Sequence, residues 1–147
     1  MRKTRGFTLI ELVLVIAILG ILAVAALPSL FNISLSQAQT NAMNATVGSI
    51  QTGLSLYAAN QVAQNQAIAY PASLDSIATY PGVATGLAPL FGTVLQTPIS
   101  ANWIKKSATC YVYDTDSSGA ISAGDTYFQY TGGSTGTFLQ SSAGSCT

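Results

Sequence analysis

The stretch GFTLIELVLVIAILGILAVAALPSLF, residues 6–31, decides how this sequence is interpreted. Residues 12–31 carry no charge, and about twenty apolar residues are enough for a helix to span a bilayer. Arg2, Lys3 and Arg5 precede the stretch, and basic residues before an apolar helix favour a cytoplasmic N-terminus. The stretch therefore predicts a membrane-inserted helix.

One acid, Glu11, interrupts the apolar run near its start. An acid at membrane depth is rare and is usually paired. A secretory signal peptide and an ordinary membrane anchor are two possible interpretations, and neither explains this acid. A signal peptide also has a shorter apolar region, although VAALPS at 24–29 could pass for its cleavage site.

The leader and the residues around Glu11 resemble those of type IV pilins and type II secretion pseudopilins. The shared features are a short basic leader, then Gly6, Phe7, apolar residues, Glu11 and a long apolar helix. In this family a prepilin peptidase cuts after the glycine and methylates the new N-terminal residue. The resemblance implies cleavage between Gly6 and Phe7, N-methylation of Phe7 and retention of the apolar helix.

The resemblance also gives roles to Glu11 and Pro28. Glu11 is implied to pair with the N-terminal amine of a neighbouring subunit, since an unpaired charge in low dielectric is costly. Pro28 stands where many such subunits have a kinking proline, and it removes one helix hydrogen bond. The implied domains are a leader at 1–6, a transmembrane and assembly half of the helix at 7–31, and its amphipathic half with a globular head at 32–147.

Hydrophobic periodicity extends the helix from residue 7 to about residue 64. Its second half has apolar residues at spacings of four and three, which is typical of an amphipathic helix. These residues are Met43, Val47, Ile50, Leu54 and Tyr57. Residues 65–107 are interpreted as a connection with a short helix around 72–79, between Pro71 and Pro81.

The C-terminal part has the composition of strands. ATCYVYD at 108–114 and DTYFQYT at 125–131 alternate and are rich in aromatic and β-branched residues, which predicts an antiparallel pair. A weaker third strand is expected near Phe138. The prediction is an α+β fold, with a long N-terminal helical spine packed on a small C-terminal antiparallel sheet. This is also the pilin architecture.

Two cysteines, Cys110 and Cys146, are a number suited to one disulfide. Such a bond would hold the C-terminal tail and would place the head outside the cytoplasm. Free or metal-binding thiols are the alternative, but the chain has no histidine to complete a zinc site. Many type IV pilins have a C-terminal disulfide of this kind.

The segment DTDSSGAISAGD at 114–125 contains three of the five acids in the chain. Its spacing resembles that of a calcium-binding loop, with glycine at the sharp turn. The expected calcium ligands are Asp114, Asp116, Ser118, the carbonyl of Ala120, Ser122 and Asp125. The last position is Asp rather than Glu and the flanks are strand-like, so a polar hairpin loop is the alternative. No other cofactor is expected.

The composition argues against other functional classes. Without histidine, and with charged residues at 7%, the chain offers little from which to build an active site, so no enzyme is predicted. No basic patch recommends a nucleic acid as partner. Lys105 and Lys106 are interpreted as a solvated pair, with an inter-subunit contact or an adhesive spot as the alternatives.

The resemblance therefore implies a structural subunit of a type IV pilus or related filament. The alternatives are a type II secretion or competence pseudopilin, or a minor pilin with an adhesive head. The implied partners are copies of itself, other pilins, prepilin peptidase and an inner-membrane assembly platform. Before assembly the subunit would lie in the inner membrane with its head outside the cytoplasm, and afterwards in an extracellular pilus or periplasmic pseudopilus.

Overall fold

A computed structural model describes residues 6–141 and Cys146, except for the side chains of residues 27–34. One long helix is followed by five strands, which form a single antiparallel sheet in sequence order. The elements are α1 (Leu9–Ala63), β1 (Gly82–Val83), β2 (Trp103–Lys105), β3 (Cys110–Tyr113), β4 (Thr126–Thr131) and β5 (Thr137–Gln140). The predicted α+β class is confirmed.

The chain divides into two compact units between Asn41 and Ala42, inside α1. In the first unit, Leu9–Ala26 have a mean hydropathy of 2.9 and none of them is buried. Within the described residues, this is the one helical segment long and apolar enough to cross a membrane.

The boundaries proposed from the sequence are not tested by this division. Residues 1–5 of the expected leader lie outside the described part of the chain, so the domain limits at 6 and 31 stay predictions. The helix runs unbroken through Pro28, whose side chain is also outside the description. The kink at Pro28 stays a prediction as well.

The second unit, residues 42–147, has an aromatic core between α1 and the sheet. Ile50 and Leu54 of the predicted stripe are fully buried, and Met43 and Val47 pack beside them. The sheet contributes alternate residues, as expected when successive side chains point to opposite faces. These are Trp103, Tyr111, Tyr113, Phe128, Tyr130 and Phe138.

The other face of the sheet carries a smaller apolar cluster. Ile104, Cys110 and Val112 are buried there, with Ile121, Tyr127 and Cys146 packed against them. Ile121 comes from the acidic loop and Cys146 from the tail, so this outer cluster joins two segments that are far apart in sequence.

The predicted strand pair is confirmed as β3 and β4, and the weaker strand near Phe138 as β5. The prediction of a helix around 72–79 is wrong, because this segment is made of bends and irregular structure. Asp75 accepts a hydrogen bond from the Ile77 amide at 3.0 Å, a local turn that competes with helix. β1 and β2 lie within the supposed connection and were missed.

The interpretation of Lys105 as solvated is also wrong, since its exposed fraction is 1%. Lys105 follows Trp103 by two residues in β2, and this period places both side chains on the core face. Lys106, on the other side, is half-buried, with its ammonium 5.1 Å from the centre of the Tyr127 ring.

Candidate functional site

The N-terminus of α1 is closed by Thr8 and Glu11. The Thr8 amide and hydroxyl each donate a hydrogen bond of 3.0 Å to Glu11 Oε2. The Glu11 amide donates back to Thr8 Oγ1 at 3.4 Å. This is a capping box, in which two side chains satisfy amides that a helix start leaves without partners. The spacing of Thr8 and Glu11 in the sequence TLIE could have revealed this box. Glu11 therefore has a local role as a helix cap even if α1 is only a membrane anchor.

The cleavage and methylation residues precede the helix. Gly6 and Phe7 are exposed and non-helical, and Phe7 is 86% exposed. The apolar side chains that follow in α1 are also exposed in the single chain, with Leu9 at 82% and Ile10 at 75%. A continuous apolar surface of this kind marks a membrane or protein contact, whereas scattered apolar residues need no explanation.

The acidic loop brings together the three carboxylates that the sequence singled out. Asp114, Asp116 and Asp125 each offer an oxygen, and these oxygens lie within 4.8 Å of one another. Asp114 and Asp125 are buried while Asp116 is exposed. Among the described residues, no lysine forms a salt bridge with any of the three. The three acids thus concentrate negative charge at one point.

Backbone amides hold this loop in place. The Ser118 amide donates to both Asp114 Oδ1 (3.1 Å) and Asp116 Oδ1 (3.0 Å), and the Gly119 amide donates to Asp114 Oδ2 at 2.7 Å. Gly119 has a φ of +74°, so the turn uses the left-handed conformation that glycine tolerates. Hydrogen bonds from Ser118 lower the pKa of Asp116.

The remaining expected ligands lie in the same loop. Ser118 Oγ donates to the Ala120 carbonyl at 3.0 Å, so these two expected ligand oxygens lie together. The Ser122 amide donates to Asp125 Oδ2 at 2.7 Å, and the Thr115 amide to Asp125 Oδ1 at 3.0 Å. A carboxylate can accept about four contacts, so these bonds leave capacity for a cation.

The predicted disulfide between Cys110 and Cys146 is present, with the two Cα atoms 5.5 Å apart. It fastens the tail to β3 on the sheet face opposite the aromatic core. Ile121 of the acidic loop packs in the same outer cluster. The acidic loop and the tail therefore pack against the same outer apolar cluster.

Sequence reasoning missed a buried polar network on the core face. Lys105 Nζ lies 2.7 Å from Asp75 Oδ1, and both side chains are 1% exposed. Nζ also donates to Ser73 Oγ (3.2 Å) and to the Ile77 carbonyl (3.0 Å). The Tyr111 hydroxyl donates to Asp75 Oδ2 at 2.8 Å. Burial, with the nearby Asp75 charge, raises the pKa of Tyr111 above its usual range.

The network had one signal in the sequence. Lys105 lies two residues after Trp103 in the same strand, and both side chains face the core. A lysine at such a position requires a buried partner for its charge. The partner could not be found from spacing, because Asp75 is thirty residues away in an irregular segment.

Comparison with known proteins bears on the N-terminal segment. Residues 1–27 match the family described as the prokaryotic N-terminal methylation motif. Fimbrial protein EcpB of Eikenella corrodens is 50% identical over 54 residues, which are 37% of this chain and 33% of that protein. The chain thus spans about a third of the length of this curated relative. No solved structure matches the chain at a significant level.

The motif contains the proposed cleavage residues, Gly6 and Phe7, and the acid Glu11. Its range also includes the whole exposed apolar segment Leu9–Ala26. The motif and the fimbrial relative confirm the resemblance seen in the sequence, and this chain, which carries the prokaryotic N-terminal methylation motif, is consistent with membership of the type IV pilin family.

Proposed function

We propose that this chain is a structural subunit of a type IV pilus or related filament, assembled through its N-terminal helix. The observation that carries the proposal is the uncovered apolar surface of Leu9–Ala26 directly after a methylation motif. In the membrane, lipid covers this surface, and in a filament the same segment of neighbouring subunits replaces the lipid. A fimbrial relative that shares 50% identity over 54 residues supports this function.

Processing is the first step of the proposal. Prepilin peptidase cuts between Gly6 and Phe7 and methylates the Phe7 amine. The exposure of both residues, and their position before the first helical residue, supports access of a peptidase to this bond. A bond inside α1 would have to unwind before cleavage.

Assembly is the second step. Glu11 of one subunit contacts the Phe7 amine of the next, which places opposite charges together where water is excluded. The capping box uses Glu11 Oε2, and a carboxylate with about four acceptor positions can bind an ammonium as well. Capping and subunit contact are therefore compatible.

The proposed partners and locations follow from these steps. The subunit first lies in the inner membrane, where it meets the peptidase and the assembly platform, and then joins copies of itself and other pilins. The Cys110–Cys146 disulfide supports an extracytoplasmic position for the sheet-bearing unit. The filament is then an extracellular pilus, or a periplasmic pseudopilus if the subunit serves type II secretion.

The N-terminus of the mature protein tests processing. Filaments or membranes from the native cell are analysed by mass spectrometry, and the expected N-terminal residue is N-methylated Phe7. A mature chain that retains residues 1–6, or that begins after residue 26, contradicts the proposal. The abundance of the chain in sheared filaments then separates a bulk subunit from a minor adhesive pilin or a pseudopilin.

We further propose that the acidic loop binds Ca²⁺. The gathering of Asp114, Asp116 and Asp125 oxygens within 4.8 Å supports this binding, because hard cations prefer several oxygen ligands. Ser118, the Ala120 carbonyl and Ser122 lie in the same loop and can complete the ligand set. Bound calcium would remove the repulsion between the acids and stabilise the folded unit.

Thermal unfolding of the full chain in detergent tests this binding. Calcium at a hundred times its dissociation constant is expected to stabilise the fold by about 2.7 kcal/mol relative to chelator. Asp114→Asn should abolish the shift. Ser117→Ala is the matched control, since Ser117 lies in the loop but outside the ligand set, and it should retain the shift. An unchanged wild-type midpoint contradicts calcium binding.

A further inference from the structure

We propose that Lys105 and Asp75 condense to an intramolecular amide bond between Nζ and Cγ, with release of one water. The reacting groups are already in contact, with Nζ 2.7 Å from Oδ1, and both side chains are 1% exposed. This modification concerns a site that the proposed filament function does not use.

The first step of the proposed reaction converts this ion pair into a neutral pair. Removal of two charges from water is costly, and a buried pair can lower this cost by transfer of one proton. Here the proton moves from the Lys105 ammonium to Asp75 Oδ1, along the existing 2.7 Å hydrogen bond. The products are a free amine and a carboxylic acid held in contact, which are the two reactants of amide formation.

The bond changes balance without any added reagent. The Nζ lone pair attacks Cγ, and the C–N bond forms while the electrons of the C=O bond move to Oδ2. The electrons on Oδ2 then re-form the C=O bond as the C–Oδ1 bond breaks, and Oδ1 leaves as water with the proton received earlier and a second proton from Nζ. Lysine ammonium and aspartate carboxylate thus give one amide and one water, with no oxidation or reduction.

Tyr111 is placed where negative charge develops. Its hydroxyl donates to Asp75 Oδ2 at 2.8 Å, and Oδ2 is the oxygen that becomes the amide carbonyl. A fixed donor at a developing oxyanion stabilises the intermediate more than the starting acid. The raised pKa of Tyr111 keeps this phenol protonated as a donor.

The other contacts hold the amine in position. Ser73 Oγ and the Ile77 carbonyl accept from Nζ at 3.2 and 3.0 Å, so the attacking atom is restrained by three oxygens in total. Fixed contact of two reactants replaces a bimolecular encounter and so lowers the barrier to reaction. A cleft of about 620 Å³ lined by Asp75 and Ile77 offers the released water a path to solvent.

Mass spectrometry of the full chain, purified from the native cell and digested with chymotrypsin, tests the proposal. Phe91 and Trp103 lie between the two residues, so cleavage after these aromatic residues separates them. The expected product is a branched peptide that joins the Asp75 and Lys105 fragments, lighter than their sum by one water. Complete recovery of the two fragments as separate unmodified peptides overturns the proposal.

Two variants assign the chemistry. Lys105→Arg keeps the positive charge but removes the amine, and the branched peptide should disappear. Tyr111→Phe keeps both reacting groups but removes the donor, so the branched fraction should fall at least several-fold at equal age of the protein. A branched fraction unchanged in Tyr111→Phe overturns the role of the phenol, and tandem spectra that place the link elsewhere overturn the Lys105–Asp75 bond.

Discussion

Glu11 accepts two hydrogen bonds from Thr8 at the first turn of α1, one from the amide and one from the hydroxyl. This relationship gives the acid of the apolar segment a partner within its own chain. It also changes how the effect of a Glu11 variant has to be interpreted, because loss of the carboxylate removes a helix cap as well as a charge. The capping contribution at a helix start is about 0.5–2 kcal/mol.

Glu11→Gln separates these two roles. Glutamine can serve in a capping box, so the helix start is expected to stay intact, whereas the negative charge is lost. If Glu11 pairs with the Phe7 amine of a neighbouring subunit, filaments should be severely reduced in Glu11→Gln, as in Glu11→Ala. Electron microscopy and the amount of subunit in sheared filaments measure this effect.

Thr8→Val is the control for capping alone. It removes the two hydrogen bonds in which the Thr8 hydroxyl takes part and leaves the Glu11 charge in place. Near-normal filament yield in Thr8→Val, together with loss in Glu11→Gln, supports the charge contact. Normal assembly of Glu11→Gln would refute it and would leave capping as the function of the acid.

Gly53 of α1 lies directly against the backbone of Val94. A Cβ atom at this position would be 2.2 Å from the Val94 carbonyl oxygen, which is a backbone atom that cannot rotate away. Gly53→Ala is therefore expected to destabilise the second unit by about 1–3 kcal/mol, although alanine is the better helix former. Urea unfolding of the full chain in detergent, followed by the fluorescence of buried Trp103, measures the change.

Gly48→Ala is the matched control in the same helix. Nothing lies within 4 Å of a Cβ built at Gly48, so the substitution should stabilise the helix by about 0.5–1 kcal/mol. Opposite signs for the two variants would confirm that the Val94 contact decides the outcome. Equal stabilisation would show that the loop moves away without cost.

The disulfide is expected to make a large contribution to the stability of the second unit. Cys110 and Cys146 are 36 residues apart, and a loop of this size corresponds to about 3–4 kcal/mol in the chain-entropy treatment. The double variant Cys110→Ala and Cys146→Ala should lose this amount in urea unfolding. A reducing agent should lower the stability of the wild type similarly and should leave the double variant unchanged.

Local patterns were sufficient for the elements that repeat regularly. The stripe that contains Ile50 and Leu54 predicted the buried face of α1, and aromatic alternation predicted β3 and β4. The acids of the 114–125 loop were grouped correctly because a short loop keeps neighbours in sequence close in space.

The missed features depend on contacts between distant segments. β2 is three residues long, so alternation has little length over which to appear, and its pairing with β3 defines it. The burial of Lys105 depends on Asp75 and Tyr111, which come from two other segments. Spacing alone does not show which segments meet, and Lys105 was therefore assigned, together with Lys106, to the surface.

Tyr130 is expected to make stability fall in alkaline solution. Its hydroxyl donates to the Pro71 carbonyl, and burial raises its pKa to about 12, with further contributions from Tyr57 and Tyr70. In the unfolded chain the pKa of a tyrosine is about 10. Between these values the unfolded chain releases a proton that the folded chain retains, so the free energy of unfolding decreases as the pH rises. The contribution is fully present below about pH 10 and is lost as the pH rises through about 12.

Tyr130→Phe removes this titration together with one hydrogen bond. At pH 8 the variant should be less stable than the wild type by about 1 kcal/mol, the usual net value of one hydrogen bond. As the pH approaches 12, the wild type should lose more stability than the variant, so the difference between them should shrink. Urea unfolding at several pH values, monitored at Trp103, measures both curves. Parallel curves from pH 8 to 12 would contradict the assignment, since the alkaline loss of stability would then arise elsewhere.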